Sequence, residues 1–358
     1  MVLVGGEGTR LRPLTYGTPK PMIPIMGVPF LELMLRRIKD AGIEHAILAS
    51  GYLPDAISSY FGDGSGLGLR LTYVVEESPM GTAGAIKNVE QHIVGPFFVF
   101  NGDVLTSLDL RAMIAFHEKR RGMGALHLIT VEDPSAFGAV VHDNTGRITA
   151  FVEKPPKGTS PSNDVNAGTY LLEREILDHI PAGRAVSIER ETFPTVISGG
   201  NALYAHVTSD YWIDLGRPEH YHDAHHHIFD GTMPLAIPFS KGAISGPGKA
   251  QPPGTVTPPA FIGANVVIEP GAHVGPLVVL GEGCRVARGA RIEDSLLWDG
   301  VTVGQDAVIE QSIIASGTRV GARARVAPRS VIGHNVVIDD DAQLSEGARV
   351  AAEGVPAP

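Results

Sequence analysis

Short apolar runs alternate with amphipathic stretches along roughly the first 230 residues of the chain. The apolar runs predict strands over residues 2–4, 46–49, 69–75 and 97–100, and the amphipathic stretches predict helices over 30–41, 55–61, 82–92 and 108–120. Strand–helix repetition of this kind predicts an α/β domain with a Rossmann-like, mixed but mostly parallel sheet. Ligands of such sheets bind at the carboxyl ends of the strands, where residues 5–10 and 101–103 fall.

A second pattern begins at Ile262, where aliphatic residues recur at every sixth position. One run in step is Ile262, Ile268, Val274, Leu280, Val286 and Ile292, and a second is Val308, Ile314, Val320, Val326, Ile332, Ile338, Leu344 and Val350. This hexapeptide repeat predicts a left-handed parallel β-helix, with one buried aliphatic side chain on each face of each turn. The phase changes between the two runs, so we expect a bulge or a longer corner near Trp298.

The two patterns together predict the domain organisation. A chain of 358 residues is long enough for two domains of ordinary size. We expect a catalytic domain over residues 1–231 and a β-helix domain over 261–358. The stretch between them, residues 232–260, is rich in Pro and Gly, which is typical of a linker.

Composition narrows the class of protein. The net charge of −10 disfavours a broad nucleic-acid surface, and no apolar run approaches the ~20 residues of a membrane span, so we expect neither nucleic acid nor membrane as a partner. Cys284 is the single cysteine, which excludes an internal disulfide and fits the reducing cytoplasm. The chain starts directly with a strand, so we expect no signal peptide.

The stretch most informative about chemistry follows the first strand and reads GGEGTRLR over residues 5–12, with PKP at residues 19–21. Glycines let the backbone turn sharply, so that peptide N–H groups can point at a phosphate chain. Arg10, Arg12 and Lys20 place positive charge beside this loop. The loop is neither a Walker loop nor a dinucleotide fingerprint, because it lacks the Gly-Lys-Ser/Thr of the first and the third glycine of the second.

Two isolated carboxylates are candidates for binding Mg²⁺. Asp103 follows an apolar strand, and Asp214 lies in the largely apolar stretch of residues 211–216. Mg²⁺ favours one or two carboxylates together with phosphate oxygens and water. On spacing alone, a turn or capping role is the stronger interpretation of each aspartate.

Three further segments are compatible with ligand binding: GTAGA at residues 81–85, FVEKP at 151–155 and NAGTY at 166–170. Small residues at a helix start suit a flat base lying on the backbone, and a Glu-Lys pair suits a sugar phosphate. Each segment also has an ordinary structural interpretation. These are a capped helix N-terminus, a surface ion pair and a plain strand start.

These motifs occur in the order and at the spacing found in the sugar nucleotidyltransferases, also called NDP-sugar pyrophosphorylases. Together with the six-residue repeat, they make nearly the whole chain resemble the mannose-1-phosphate guanylyltransferases of the short form. The segment SIERE at residues 187–191, followed by Phe193-Pro194, also resembles those enzymes. One departure is the first strand, which starts two or three residues closer to the N-terminus than is usual in the family.

The resemblance implies a role for each matching position. Arg10 and Lys20 would stabilise charge on the departing pyrophosphate and the α-phosphate, and Asp103 and Asp214 would hold Mg²⁺. The nucleotide-binding residues would be Gly5, Gly6, Gly8, Thr9, Gly81, Thr82, Gly84 and Gly102. The sugar-phosphate-binding residues would be Glu153, Lys154, Asn166, Gly168 and Thr169.

The implied reaction converts GTP and mannose 1-phosphate into GDP-mannose and pyrophosphate, in a cytoplasmic enzyme that forms a homo-oligomer through its β-helix. No Cys or Ser nucleophile with a neighbouring base is evident in the sequence, so we expect direct in-line attack by the sugar phosphate on the α-phosphorus. A phosphate monoester is already a competent nucleophile. Positioning and charge stabilisation therefore carry the catalysis.

Alternative functions stay open at this point. The same chemistry could use another NTP, or another sugar, pseudo-sugar or cyclitol 1-phosphate, because base and sugar choice rest on few contacts. A non-catalytic partner that senses nucleotide sugars is a second alternative, against which the intact Arg10, Lys20, Asp103 and Asp214 argue. An acylating β-helix with His334 as base is a third, but a solvent-facing corner histidine is the stronger interpretation.

A histidine cluster lies at residues 220–227, where His222 and His226 have the i, i+4 spacing that zinc sites use. No carboxylate or cysteine set completes a site that the sequence identifies. We therefore expect a solvated helix face leading into the linker.

Overall fold

The computed structural model describes residues 1–76, 78–235, 242–245 and 255–352. The chain divides into two compact units, one built from Met1–Gly6 and Met34–Ile213, the other from Glu7–Leu33 and Asp214–Pro358. Most of the predicted linker, at residues 236–241 and 246–254, lies outside the described residues. The predicted domain bounds therefore stay a prediction.

Helices and strands alternate over much of residues 1–120, as the hydrophobic pattern predicts, but the predicted alternation fails between residues 124 and 172, where four strands follow one another with no α-helix between them. The helices are α1 (Phe30–Asp40), α2 (Pro54–Phe61), α3 (Gly81–Asn88), α4 (Leu110–Arg120), α5 (Phe193–Ser198) and α6 (Pro218–Phe229). The strands are β1 (Val2–Leu3), β2 (Pro24–Ile25), β3 (Val28–Pro29), β4 (His45–Ser50), β5 (Arg70–Val75), β6 (Phe97–Asn101), β7 (Val104–Thr106), β8 (Gly124–Thr130), β9 (Gly138–His142), β10 (Ile148–Glu153), β11 (Asp164–Leu172), β12 (Leu203–Thr208) and β13 (Trp212–Asp214).

The first unit is built on a mixed sheet with the strand order β10–β9–β11–β6–β1–β4–β5, and β8 lies between β11 and β12. Strands β6, β1, β4 and β5 run parallel to one another, whereas β11 is antiparallel to both β6 and β8. β4 is buried along almost its whole length, which is typical of a parallel strand covered on both faces. The predicted fold class, a Rossmann-like, mostly parallel mixed sheet, is confirmed.

The predicted helix over residues 82–92 is shorter in the structure. α3 ends at Asn88 because the backbone N–H of Val89 bonds to the carbonyl of Ile86, three residues back. A separate 3₁₀ turn, Glu90–His92, follows. The fully buried Val89 side chain packs in the core at this break.

The C-terminal part of the second unit stacks short parallel strands into three sheets. Their bounds are β14 (Gly242–Ser245), β15 (Thr255–Val256), β16 (Ala260–Gly263), β17 (Val267–Ile268), β18 (His273–Val274), β19 (Val278–Leu280), β20 (Arg285–Val286), β21 (Arg291–Glu293), β22 (Leu296–Leu297), β23 (Thr302–Val303), β24 (Val308–Glu310), β25 (Ile313–Ile314), β26 (Arg319–Val320), β27 (Arg325–Val326), β28 (Val331–Ile332), β29 (Val337–Ile338), β30 (Gln343–Leu344) and β31 (Arg349–Val350).

Each strand pairs in parallel with the strand three places later in the chain, as β18 does with β21 and β21 with β24. β14 is the exception, because it pairs with β16 in antiparallel orientation. The in-step aliphatics of the repeat form a continuous buried core along this stack. These regular stacks fit the predicted left-handed β-helix.

The change of repeat phase has a different cause from the one expected. Neither a bulge nor a longer corner is present there; instead, buried positions are five residues apart from Ile292 to Leu297 and again from Ile309 to Ile314. Ile309 takes the buried position that the pattern assigned to Val308. Two corners are therefore one residue shorter than the rest.

Buried serines allow these short corners. The Ser295 and Ser312 hydroxyls donate to the carbonyls two residues before them, at 2.7 and 2.6 Å, and the Ser312 N–H donates to Ser295 Oγ at 3.1 Å. The hydroxyls thus satisfy backbone groups that the tight turn would otherwise leave unpaired.

Candidate active site

The glycine loop and Asp103 leave the sheet side by side in the first unit. Leu3 pairs with Asn101, so residues 5–6 and 102–103 follow neighbouring strand ends. The Gly102 N–H donates to Leu3 O at 3.0 Å, and a Cβ at position 102 would lie 2.3 Å from that oxygen. Glycine is therefore required at 102 for this approach. Asp103 is half-buried at the same edge.

The next strands of the sheet bring Gly51 and Glu76 to this edge. A Cβ at Gly5 would lie 3.4 Å from Gly51 N and 3.8 Å from Glu76 Oε1. Burial raises the pKa of Glu76, whose carboxylate accepts the Met80 N–H at 3.2 Å. Sequence reasoning missed Glu76. The available signal was a carboxylate directly after an apolar strand.

The predicted base-binding glycines pack closely on another segment of the first unit. A Cβ at Gly81, which has φ +68°, would lie 2.5 Å from Val186 O. A Cβ at Gly84 would lie 3.0 Å from Arg184 O. Both positions require glycine because a backbone segment occupies the space.

Thr82 joins this helix start to the turn at Ile188–Thr192, which is π-helical. Its hydroxyl donates to Glu189 Oε2 at 2.9 Å and accepts the Ile188 N–H at 2.8 Å. The Ser187 hydroxyl donates to the same Glu189 oxygen at 2.8 Å. The Thr82 hydroxyl is thus already used by the protein, and Thr82 positions the backbone at this helix start.

A chain of hydrogen bonds continues from Glu189 to the predicted sugar-binding strand. Tyr170 is fully buried, and its hydroxyl donates to Glu189 Oε1 at 3.2 Å and accepts from Asn166 Nδ2 at 2.6 Å. Asn166 Oδ1 accepts the Gly168 N–H at 3.0 Å. Tyr170 and Glu189 thus connect predicted nucleotide- and sugar-binding residues, a link the sequence does not show. The sequence signal for Glu189 was the segment SIERE, residues 187–191, which resembles the guanylyltransferases.

Gly168 and Thr169 have different surroundings. Gly168 has φ +73°, and a Cβ there would lie 2.8 Å from Asn101 Nδ2, so glycine is required. Asn101 Oδ1 is buried without a hydrogen-bond partner among the described residues, so it is an acceptor that sequence reasoning missed. Thr169 is buried, on β11 opposite Phe100.

Glu153 and Lys154 lie at the end of β10. Glu153 pairs with Gly138 on β9, and a Cβ at Gly138 would lie 2.8 Å from Glu153 Oε2. The missing side chain at Gly138 therefore makes room for the carboxylate. Lys154 has φ +49°, and its exposed Nζ lies 3.7 Å from Glu153 Oε1.

Trp212 fixes the segment before Asp214 on the first unit. Its indole N–H donates to Ala167 O at 3.0 Å, and its ring contacts Phe137 edge-on with centroids 5.1 Å apart. The indole thus holds Trp212 beside the residues 166–168 that the sequence assigned to sugar binding.

In the second unit, the part of the glycine loop that contains Gly8 packs against Lys20. Gly8 has φ +63°, and a Cβ there would lie 3.0 Å from Thr15 Cγ2 and 3.1 Å from Lys20 Cβ. The Thr15 hydroxyl donates to Gly8 O at 2.9 Å. Lys20 is buried, whereas Thr9, which begins a 3₁₀ turn, is exposed.

Arg10 and Asp214 approach the same point in the second unit. A Cβ at Gly216 would lie 2.6 Å from Arg10 Nη2 and 2.5 Å from Asp214 Oδ1, which accepts the Gly216 N–H at 2.5 Å. Gly216 therefore leaves a space that the Arg10 guanidinium and the Asp214 carboxylate both border. The sequence places these two side chains more than two hundred residues apart.

The Arg12 side chain, which the sequence placed among the positive charges beside the loop, is paired with a carboxylate. Its guanidinium donates to Glu7 Oε2 at 2.9 Å and lies over the Tyr16 ring at 5.0 Å. Glu7 balances its charge, so Arg10 and Lys20 are the stronger candidates for phosphate contact.

The structure thus groups the predicted residues within each unit. The first unit holds Gly5, Gly6, Gly102, Asp103 and the residues of the base and sugar segments; the second holds Gly8, Thr9, Arg10, Lys20 and Asp214. Asp103 and Asp214 belong to different units. Among the described helices, none is long and apolar enough to cross a membrane.

Both regions of the chain match known proteins. A family model described as nucleotidyl transferase matches residues 1–231, and one described as GMPPB C-terminal domain matches residues 256–352. A mannose-1-phosphate guanylyltransferase of Mycobacterium tuberculosis is 42% identical over 303 residues, covering 84% of this chain and 80% of the relative. Mannose-1-phosphate guanylyltransferase 1 of Arabidopsis thaliana is 32% identical over 353 residues, covering 97% and 94%. The crystal structure of HddC from Yersinia pseudotuberculosis is 31% identical with a TM-score of 0.54, covering 62% of this chain and 96% of that one.

Proposed function

Because this chain belongs to the nucleotidyl transferase family, we propose that it makes GDP-mannose and pyrophosphate from GTP and mannose 1-phosphate. The family resemblance inferred from the motifs is confirmed by these matches. The observation that carries the proposal is that Arg10 and Asp214 both border the space left by Gly216. A cation for phosphate charge and a carboxylate for a metal are the two groups that nucleotidyl transfer requires.

Arg10 and Lys20 bind the phosphates of GTP in this proposal. Gly5, Gly6, Gly8 and Thr9 shape the loop whose N–H groups contact the phosphate chain. Arg10 stabilises the negative charge that grows on the departing pyrophosphate, and Lys20 does so at the α-phosphate. The chain as a whole has a net charge of −10, so an anionic polyphosphate needs local positive charge in order to bind. Arg10 and Lys20 supply that charge.

Asp103 and Asp214 are the proposed metal ligands. Enzymes of this family generally use a divalent metal, and we assign Mg²⁺ because both ligands are carboxylates, the hard oxygen donors that Mg²⁺ prefers. Asp214 Oδ1 accepts the Gly216 N–H, so the carboxylate is held in one orientation. When bound, Mg²⁺ would supply charge neutralisation at phosphate oxygens.

The remaining residues position the two substrates. Gly81, Thr82 and Gly84 border the base and ribose, and Gly102 also belongs to the nucleotide site. Glu153 and Asn166 bind the sugar hydroxyls, with Gly168 and Thr169 nearby, and Lys154 binds the sugar phosphate. Asn166 uses one amide N–H and one carbonyl lone pair in bonds to Tyr170 and Gly168, which leaves one of each for sugar hydroxyls.

The chemical step is direct in-line attack. A phosphate oxygen of the sugar 1-phosphate forms a bond to the α-phosphorus of GTP while the bond to pyrophosphate breaks. No protein nucleophile is required, since the attacking oxygen is already anionic. The protein contributes by aligning attacking and leaving oxygens and by compensating charge through Arg10 and Lys20.

We also propose that the enzyme is a cytoplasmic homo-oligomer assembled through its β-helix. Light scattering of the intact chain coupled to size-exclusion chromatography measures its mass in solution. A monomer at micromolar concentration would contradict the assembly.

Pyrophosphate release across a substrate grid tests the function. The grid combines GTP, ATP, UTP, dTTP and CTP with the 1-phosphates of mannose, glucose, galactose and glucosamine, at saturating Mg²⁺. We expect the highest kcat/KM for GTP with mannose 1-phosphate. A maximum elsewhere would keep the chemistry but replace the substrate, and silence together with GTP binding would favour a sensing protein.

Arg10→Ala tests the assigned charge, with Arg12→Ala as its matched control in the same loop. We expect Arg10→Ala to lower kcat by about 10²–10³-fold with its fold intact, because one preorganised charge contact is lost. Arg12→Ala should change turnover far less, since Glu7 balances its guanidinium. Equal losses in the two variants would remove Arg10 from the mechanism.

A further inference from the structure

The second unit contains a histidine and carboxylate cluster apart from the proposed active site. His222 and His226 lie one turn apart on α6, and Asp294 lies in the turn between β21 and β22. Among the described residues, these three form the cluster of His, Cys, Asp and Glu side chains that could hold a metal ion, with all ligand atoms within 4.8 Å of one another. The turn that supplies Asp294 is distant in sequence from α6, so sequence reasoning found no completing carboxylate.

The expected solvated helix face is wrong for this part of α6. His222 is buried and His226 is half-buried. The two imidazoles lie with their centroids 4.6 Å apart. Both Nε2 atoms face the same carboxylate oxygen, at 3.3 Å from His222 and 2.5 Å from His226 to Asp294 Oδ1. The His222 Nε2 also lies 2.9 Å from the backbone oxygen of Asp294, so zinc binding there replaces a hydrogen bond to that carbonyl.

One of these spacings equals that of a tetrahedral zinc site, and the other is shorter. Ligand bonds of about 2.0–2.2 Å place neighbouring ligand atoms about 3.3 Å apart around tetrahedral Zn²⁺. The His222 Nε2 to Asp294 Oδ1 distance already matches that value. Zinc binding therefore requires the partly exposed carboxylate to move so that the shorter contact of His226 lengthens by about 0.8 Å.

The surroundings favour a cation. Two histidines at i, i+4 on one helix face are a recurrent pair of zinc ligands, and Asp294 adds a negatively charged third. Asp223 and Asp230 place further negative charge toward His226 from the same helix. Imidazole nitrogen with a carboxylate suits Zn²⁺, whereas Mg²⁺ prefers oxygen ligands alone.

We propose that His222, His226 and Asp294 bind one Zn²⁺ ion, with water as the fourth ligand. The ion joins α6 to the β21–β22 turn of the second unit and stabilises that contact. The role is structural, because the Arg10 and Asp214 cluster that the mechanism uses does not include these side chains.

Zinc titration of the intact, chelator-treated chain tests the proposal, in excess Mg²⁺ to saturate the proposed active-site ligands. We expect one Zn²⁺ per chain by isothermal titration calorimetry and a zinc-dependent rise in Tm. Substitution by Co²⁺ should give the visible absorption bands of a tetrahedral nitrogen and oxygen site. These readouts do not depend on turnover.

His226→Ala and Asp294→Asn are the test variants, since both side chains are partly exposed and their loss should leave the fold intact by circular dichroism. We expect each to lower zinc affinity at least tenfold and to abolish the cobalt bands. His273→Ala, at an exposed histidine of β18, is the matched control and should bind zinc as the unmodified chain does. Absence of zinc binding, or equal binding in all four proteins, would overturn the proposal.

Discussion

At the scale of single residues, hydrogen bonds between side chains orient the predicted substrate-binding residues. Thr82, Glu189, Tyr170 and Asn166 form one hydrogen-bonded chain through the first unit. Its members differ in exposure, but its centre, Tyr170, is fully buried. Burial raises the pKa of the Tyr170 phenol well above its ordinary value, so the hydroxyl stays protonated and acts as a donor to Glu189.

Tyr170→Phe removes the centre of this chain and leaves Glu189 Oε1 and Asn166 Nδ2 without a partner. We expect a loss of about 1–3 kcal/mol in the free energy of unfolding, because two half-buried polar groups lose their partner. The KM for sugar 1-phosphate should rise more than kcat falls, since Asn166 loses its orientation. Urea denaturation and steady-state kinetics measure both effects, with Tyr60→Phe at an exposed tyrosine as control. A KM equal to that of the control would exclude a positioning role.

Asp214→Asn keeps the oxygen that accepts the Gly216 N–H but removes the negative charge. We expect the Mg²⁺ concentration for half-maximal turnover to rise about tenfold or more, because a neutral amide is a weaker Mg²⁺ ligand. A Mg²⁺ titration of turnover measures this directly, and Asp178→Asn at an exposed aspartate is the control. An unchanged titration would count against Asp214 as a ligand.

At the scale of elements, coils of the β-helix bind the loop that carries Arg10 and Lys20. Within the second unit, the His334 Nε2–H donates to Leu14 O at 3.0 Å and contacts Thr18 Oγ1 at 3.1 Å. Arg349 donates to Arg12 O at 2.7 Å. His334 is therefore not the solvent-facing corner that its sequence position suggests, and burial lowers its pKa. Arg10, Lys20 and the β-helix belong to the same compact unit.

His334→Ala removes the donor to Leu14 O without touching a proposed ligand-binding residue. We expect kcat to fall about tenfold, because small displacements of catalytic groups are costly and the loop loses one of its anchors. His273→Ala changes a histidine of the same β-helix that lies exposed, so it should leave kcat unchanged. Stopped-flow or coupled pyrophosphate assays of the unmodified chain and the two variants measure kcat. Indistinguishable kcat values would show that the loop does not depend on this contact.

At the scale of the whole molecule, we expect the buried His225 to make the folded chain sensitive to acid. His225 is buried, its Nδ1–H donates to Tyr221 O at 2.9 Å, and its Nε2 accepts the Met26 N–H at 3.4 Å. Burial lowers its pKa from 6.5 to about 3. Below about pH 6.5 the unfolded chain therefore binds a proton at His225 that the folded chain does not bind.

The free energy of unfolding should thus be highest above pH 6.5 and fall as the pH decreases toward 3. The His225 contribution to this loss is on the order of 3 kcal/mol between pH 7 and pH 4. Urea denaturation at several pH values measures the slope. His225→Gln should flatten it, whereas His273→Gln, at an exposed histidine, should not. An unchanged slope in His225→Gln would assign the acid sensitivity to other groups.

The sequence alone determined the elements and the family, because both depend on local order. Hydrophobic periodicity is a property of the chain itself, so β1, β4, β5, β6 and the helices α1 to α4 follow from it within a few residues, as do most of the buried aliphatics of the β-helix. The short strands β2, β3 and β7 were not predicted. The predictions from periodicity were wrong where tertiary packing determines the backbone. These places are the early end of α3 and the two short β-helix corners at Ser295 and Ser312.

Only the tertiary structure decided which distant side chains meet. Periodicity cannot show that Gly216 leaves room for Arg10 beside Asp214, that Tyr170 and Glu189 join the base and sugar segments, or that Asp294 faces two histidines of α6. Each of these contacts joins segments that are separated along the chain, and their distance is fixed by the packing of strands, helices and coils. The sequence therefore determined the kinds of groups available, and the fold determined which of them act together.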